Sequence, residues 1–251
     1  MNQDTAHRLA DLIITARKSR TPAPLSAAAP FADIDRPTID AVQQRVAEAC
    51  GPVDAWKAGP KVDEKRPLAA PVLDGLRENG ATFSSDDLYK CGIELEIAFR
   101  LDKPLPPVDA PNFALAAREC VTPVAAIEVV DGRFEDFTKL PDTVKMADNQ
   151  LNGALVWAQP ETPGAAVDFS TPEVRLAFNG KVVTSGRQKV PGGDAYATFI
   201  AFAQNVGAHC GGFQVGQIIT TGSLSGMLFV DPGTKVEGWV EGLGAVDLTF
   251  A

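Results

Sequence analysis

The sequence predicts an α+β fold, with a helical portion at the N-terminus and a β-rich body after it. Three observations carry that expectation. Apolar residues recur at helical spacing over much of the first 50 residues. From about residue 81 the texture changes to short alternating or apolar runs punctuated by Gly, Pro and Asn. Within that body an Asn-Gly pair at 179–180 separates two strand-like runs, the strongest short-range hairpin signal in the chain. The expected organisation is a helical and irregular portion over residues 1–80, packed on a β-rich core over residues 81–251.

Taken in order, Leu9, Leu12, Ile13 and Ala16 put an apolar face on a helix over residues 2–20, which Thr21-Pro22-Ala23-Pro24 ends. A second helix starts near Asp35-Arg36-Pro37 and runs through Val42, Val46 and Ala49 to Gly51. Residues 51–80 are rich in Pro, Gly and charge, and read as irregular structure around one short strand at 53–58. Buried strands are expected at 92–99 and 126–130, and a hairpin from 174–178 to 181–184. Gly192-Gly193-Asp194 introduces a helix, with Asp194 as its N-cap and Tyr196, Phe199, Ile200, Ala203 and Val206 turned inward, ending at Gly207. Two last strands follow Pro232-Gly233 and Gly242-Leu243-Gly244. The stretch Ala147-Asp148-Asn149-Gln150-Leu151-Asn152-Gly153 reads either as an N-capped helix start preceding residues 154–157 or as a pocket wall lined with amides.

Bulk properties exclude several function classes. The net charge of −9, with no Lys/Arg-dense stripe, argues against nucleic acid and anionic membrane surfaces as partners. No apolar run approaches the roughly 20 residues that span a bilayer. Met1-Asn2-Gln3-Asp4-Thr5 lacks a basic stretch followed by an apolar core, so no export signal is expected. Cys50, Cys91, Cys120 and Cys210 form no CxxC pair and read as reduced thiols of a cytoplasmic protein. With only His7 and His209 present, a histidine-rich metal site is excluded, and His209 reads as a capping or loop residue.

The chemistry lies in acids placed where apolar residues should pack. Glu94 and Glu96 share one face of the strand 92–99, while Ile93, Leu95, Ile97 and Phe99 take the other. Glu128 sits inside a run that is apolar on both sides. An edge strand with a solvated acidic face would also give the Glu-x-Glu pattern. Three carboxylates converging in an apolar interior would instead repel one another unless a cation neutralised them, and all-oxygen ligands suit a hard divalent metal. Lys57, in Ala55-Trp56-Lys57-Ala58-Gly59, is either a surface lysine or a cation beside that site, able to move protons if its pKa is lowered. The turn Thr220-Thr221-Gly222-Ser223-Leu224-Ser225-Gly226 can present N–H groups and hydroxyls to an anion.

In chain order these pieces resemble the fumarylacetoacetate hydrolase superfamily, and within it the 2-oxopent-4-enoate (2-hydroxypenta-2,4-dienoate) hydratases. The matching stretches are Trp56-Lys57-Ala58-Gly59, residues 92–99, residues 125–131, Ala147-Asp148-Asn149, residues 179–183, residues 221–226 and Gly242-Leu243-Gly244-Ala245-Val246. The resemblance implies a mixed β-sandwich or roll with peripheral helices, assembled as a homo-oligomer. It implies Mg²⁺ or Mn²⁺ held by Glu94, Glu96 and Glu128, and Lys57 as the active-site lysine. Gly222, Ser223 and Asn152 would meet the substrate, with Ser223 at its acid end. Leu151 and Asn152 stand where hydratases commonly carry small serines. The implied activity is addition of water to a 2-hydroxy-2,4-dienoate. Alternatives are a 2-oxo acid decarboxylase or acylpyruvate-type hydrolase on the same scaffold, or a non-catalytic β-sandwich module whose acids hold a structural ion.

Overall fold

The computed structural model describes residues 3–61 and 67–251. Met1-Asn2, the start of the N-terminus read above for a leader, and residues 62–66, inside the stretch expected to be irregular, lie outside the described residues. The chain opens with a helical hairpin of α1 (Gln3–Ser19) and α2 (Arg36–Cys50). The second helix begins as the sequence predicts: Asp35 accepts the Thr38 N–H at 3.0 Å, and a proline occupies the first turn.

Residues 51–61 and 67–80 contain the strand expected at 53–58 and two further strands in place of the irregular structure expected there. They hold β1 (Val53–Lys61), β2 (Pro67–Leu73) and β3 (Leu76–Glu78). Pro67 and Pro71 mask β2 in the sequence; the strand occupies a sheet edge, where a missing N–H is tolerated. After β4 (Ala81–Phe83) come the two long strands β5 (Gly92–Leu101) and β6 (Val121–Val130), separated by α3 (Phe113–Arg118). Next are α4 (Asp142–Ala147), β7 (Asn152–Ala158) and the hairpin of β8 (Glu173–Phe178) and β9 (Lys181–Arg187). Its turn residues Asn179 and Gly180 both have positive φ, 49° and 77°, which fits the strand twist. The chain ends with α5 (Ala195–Asn205), β10 (Ile218–Ser223), β11 (Leu228–Phe229), β12 (Lys235–Val240) and β13 (Gly244–Phe250). Helix α5 is capped by Asp194 as expected, but it buries Phe202 while Ile200 is only partly covered. Residues 154–157 belong to β7, so the helix reading of that stretch is overturned.

Two sheets form the α+β body. The larger runs β2-β1-β10-β5-β6-β7-β3, with β11 pairing with the start of β5 at Gly92 and Ile93, and the smaller runs β4-β13-β12-β8-β9. Strand β2 passes into β3 through Asp74-Gly75 and also packs near β7, so the large sheet curls into a roll. Its inner face is lined by small or branched residues, among them Ala55, Val72, Ala98, Ala126 and Leu155. Its outer face, including Ile93, Leu95, Ile97 and Phe99, joins the main core under the small sheet and the helices. Sheet packing there is close: a Cβ added to Gly238 of β12 would sit 2.7 Å from Leu95 Cδ1. Among the described residues, no helix is long and apolar enough to cross a membrane.

Candidate metal centre

Strand register assembles the site. Glu94 lies directly opposite Glu128 in the β5–β6 ladder, and Ser223 lies opposite Glu96 in the β5–β10 ladder. Lys57 of β1 pairs with Thr220 of β10, which pairs in turn with Ala98 of β5. Cross-strand partners share a face, and alternate residues along a strand do too. All seven side chains therefore project to the inner face of the roll. One ligand oxygen from each of Glu94, Glu96 and Glu128 lies within 4.8 Å of the others. Glu96 and Glu128 are fully buried, and Glu94 is 14% exposed.

A bulge in β10 aims the backbone at this cluster. Between Thr220 and Ser223 the register slips by one residue, and Gly222 takes φ +114°. Its N–H then donates to Glu96 Oε2 at 2.6 Å. A side chain at 222 would meet Pro191 carbons at 3.0 Å in addition to the unfavourable φ, so glycine is required twice over. On the opposite wall Asn152 Nδ2 donates to Glu128 Oε1 at 3.0 Å. Gly222 and Asn152 thus engage carboxylates, whereas the Ser223 hydroxyl has no hydrogen-bond partner.

Lys57 Nζ ion-pairs with Glu128 at 2.9 Å and Glu94 at 3.1 Å, and donates to the Gln150 carbonyl at 3.4 Å. Burial pulls this lysine down, but Glu128, Glu94 and Glu96 outweigh burial and hold it above the ordinary lysine range. The lowered pKa that would suit Lys57 for accepting protons is absent from this arrangement. Burial pushes Glu96 well above the ordinary glutamate range, and Glu128 and Glu94 push it further. Burial likewise raises Glu128, against the pull of Lys57.

The donor set fits a hard divalent cation. Three carboxylates and one ammonium leave an excess of two negative charges, and every candidate ligand atom is oxygen. Glu96 Oε1 is buried with no hydrogen bond, as are the Thr220 and Ser223 hydroxyls on the same face. Polar atoms this deep are paired unless something else meets them.

Sequence reasoning missed what holds the Asn152 side of the site. Asn149, Gln150 and Leu151 take φ of 50°, 56° and 61°, three consecutive left-handed residues without a glycine. Such a backbone costs about 1–2 kcal/mol for each L-residue. Asp148 and Arg133, both buried, flank it: Arg133 Nε donates to Asp148 Oδ1 at 2.5 Å and its backbone N–H to Asp148 Oδ2 at 2.8 Å. The one signal available was an arginine inside the run Asp131-Gly132-Arg133-Phe134, which reads as a charged chain reversal. His209 sits in a short turn with Nε2 2.8 Å from Gln43 Oε1, as a loop residue.

No protein-family model matches the chain. It is 32% identical over 177 residues to the 2-hydroxyhexa-2,4-dienoate hydratase of Comamonas testosteroni, covering 69% of this chain and 66% of that one. It is 30% identical over 161 residues to a 4-oxalocrotonate decarboxylase of Pseudomonas sp, covering 62% and 59%. The chain thus spans a little under two thirds of the curated relatives it matches. In structure it resembles the 4-oxalocrotonate decarboxylase of Pseudomonas putida G7 complexed with magnesium and adipate, with a TM-score of 0.79 at 22% identity over 100% of this chain and 99% of that one. A Yersinia pestis CO92 protein assigned to the fumarylacetoacetate hydrolase family superposes with a TM-score of 0.53 at 16% identity, over 78% of this chain and 92% of that one. By sequence the chain is similar to a 2-hydroxydienoate hydratase over about two thirds of that protein's length, and by fold it has the mixed sandwich-and-roll seen in these solved structures.

Proposed function

We propose that the chain is a divalent-cation-dependent hydratase that adds water to a 2-hydroxy-2,4-dienoate to give a 4-hydroxy-2-oxo acid. The observation that carries the reading is the buried trio Glu94, Glu96 and Glu128, two charges in excess of Lys57, in a chain 32% identical to a hydratase of that substrate class. These glutamates would hold Mg²⁺ or Mn²⁺. Bound there, the ion supplies Lewis acidity, polarising the substrate's 2-oxygen and easing the shift to the 2-oxo-3-enoate.

The chain's own residues arrange the rest. Gly222 N–H and Asn152 Nδ2 fix the orientations of Glu96 and Glu128. The unpaired Ser223 hydroxyl, opposite Glu96, would donate to the substrate's 1-carboxylate. Lys57, held protonated by its neighbours, keeps a proton and a positive charge at Nζ beside Glu94 and Glu128. That charge offsets the negative charge developing on the dienoate. Water then adds across C3–C4, its oxygen bonding to C4 and a proton going to C3. Four unpaired cysteines support a reducing, cytoplasmic setting.

The decarboxylase reading stands second, favoured by 30% identity to a 4-oxalocrotonate decarboxylase. Ultraviolet monitoring of 2-hydroxydienoate decay with and without Mg²⁺, with products identified by mass, separates the possibilities. The hydratase gives cation-dependent decay and a product heavier by one water. Release of CO₂ assigns a decarboxylase, C–C cleavage an acylpyruvate-type hydrolase. A melting shift with Mg²⁺ but no turnover of any 2-oxo acid leaves a non-catalytic module.

A further inference from the structure

We propose that Arg133 is a positioning residue for the carboxylate site, acting through the left-handed turn Asn149-Gln150-Leu151 that it clamps. Its effect on cation affinity rests on the reading above; its effect on the turn rests on geometry alone.

The turn has two outputs. Its middle carbonyl, from Gln150, meets Lys57 Nζ at 3.4 Å, and its far end presents Asn152 Nδ2 to Glu128 Oε1 at 3.0 Å. Both depend on a backbone that Gln and Leu adopt reluctantly. Besides the backbone bonds from Leu151 N–H to the Asp148 carbonyl at 2.9 Å and from Asp131 N–H to the Leu151 carbonyl at 2.8 Å, one guanidinium braces it. Arg133 Nη2 donates to the Asp148 carbonyl at 2.7 Å, just before the turn, and Nη1 to the Asn152 carbonyl at 2.7 Å, just after it. Nη1 also donates to the Asp131 carbonyl at 2.5 Å, beyond the end of β6, the strand that carries Glu128. The same side chain thus ties both ends of the turn to the strand bearing the carboxylate that the turn serves. The hydrogen bonds that Arg133 donates go to Asp148, Asp131 and Asn152, and none of these goes to the three glutamates. Lysine would keep the charge but lacks the planar fork that spans these carbonyls.

The test compares Arg133→Lys with the double variant Arg133→Lys/Gln150→Gly. Two readouts apply: Mn²⁺ affinity from electron paramagnetic resonance of free Mn²⁺, and backbone hydrogen exchange over residues 149–153 by mass spectrometry. Arg133→Lys is expected to weaken Mn²⁺ binding by up to about 10–100-fold, the effect of displacing Asn152 as the outer partner of Glu128. Exchange over 149–153 should rise more than elsewhere. Glycine adopts the left-handed backbone freely, so the double variant should regain part of the affinity and protection. A purely structural role predicts a lower melting temperature, unchanged affinity and no gain from glycine; that result overturns the proposal. If Arg133→Lys does not fold, Asp148→Asn should shift both readouts the same way by less, and no shift overturns it. If the wild-type chain binds no Mn²⁺, the divalent-cation reading fails, and exchange alone decides: a rise confined to 149–153 upholds the clamp, and a uniform rise or none overturns it.

Discussion

Two buried clusters pair cations with carboxylates, and they differ in saturation. Around Arg133 and Asp148 the hydrogen bonds of this pair are matched: both Asp148 oxygens accept from Arg133, and the guanidinium's Nη1 and Nη2 reach backbone carbonyls, with partly buried Arg17 as a second cation nearby. Around Lys57 there are three acids for one cation, and Glu96 Oε1 and two hydroxyls stay without hydrogen bonds. A saturated buried pair fixes structure, because its charges are answered within the chain. An unsaturated one holds capacity for something else. The excess at Glu94, Glu96 and Glu128, rather than burial of charge as such, is what the proposed metal site rests on.

Breaking the saturated cluster should cost the most stability. Arg133→Met removes the guanidinium that bonds buried Asp148, and denaturant unfolding should show a loss of about 3–5 kcal/mol. In the unsaturated cluster the expected effect falls on turnover. Glu96→Gln should reduce cation-dependent kcat/KM by at least about 100-fold, or ~2.7 kcal/mol. Its stability without added cation should stay level or rise, because one of three repelling acids is gone. A clear loss of stability in Glu96→Gln would erase the contrast between the clusters. Gly222→Ala sharpens it: the positive φ and Pro191 at 3.0 Å predict about 1–2 kcal/mol of destabilisation together with weaker cation binding, as Glu96 loses its N–H donor.

The smallest effect is a pH slope. Burial raises Glu96 and Glu128, so the folded chain binds protons more tightly there than the unfolded chain does. Their contribution is fully present below the ordinary glutamate value of 4.5 and is lost as pH rises through the higher folded values. In chelator, the stability of the wild type relative to Glu96→Gln should therefore fall as pH rises above that value. Saturating Mg²⁺ should flatten or reverse the trend, since it binds the ionised carboxylates. Thermal unfolding of both chains across pH, with and without Mg²⁺, reads the difference.

Local rules made much of this legible in the sequence. Asp35 and Asp194 announce helix starts because a carboxylate meets the free N–H groups there, and Asn179-Gly180 announces a hairpin because both residues tolerate positive φ. The period of two along 92–99 put Glu94 and Glu96 on one face before any register was known. What stayed hidden depends on partners distant in the chain. Thr220 reads as part of a turn, yet its hydroxyl faces the inside of the roll because β10 pairs with β5 and β1. The strand β2 is obscured by prolines that only an edge position tolerates. The turn at 149–151 runs against intrinsic preference, so no propensity could find it; Arg133, sixteen residues before Asn149, supplies the reason.

The measurement closest to the central claim is a Mn²⁺ titration followed by electron paramagnetic resonance, on the wild-type chain and on Glu94→Gln, Glu96→Gln and Glu128→Gln. The account predicts one tight site per wild-type chain, weakened at least about 10-fold by each substitution, with the folds intact by circular dichroism. Binding of equal strength in all four chains would contradict it.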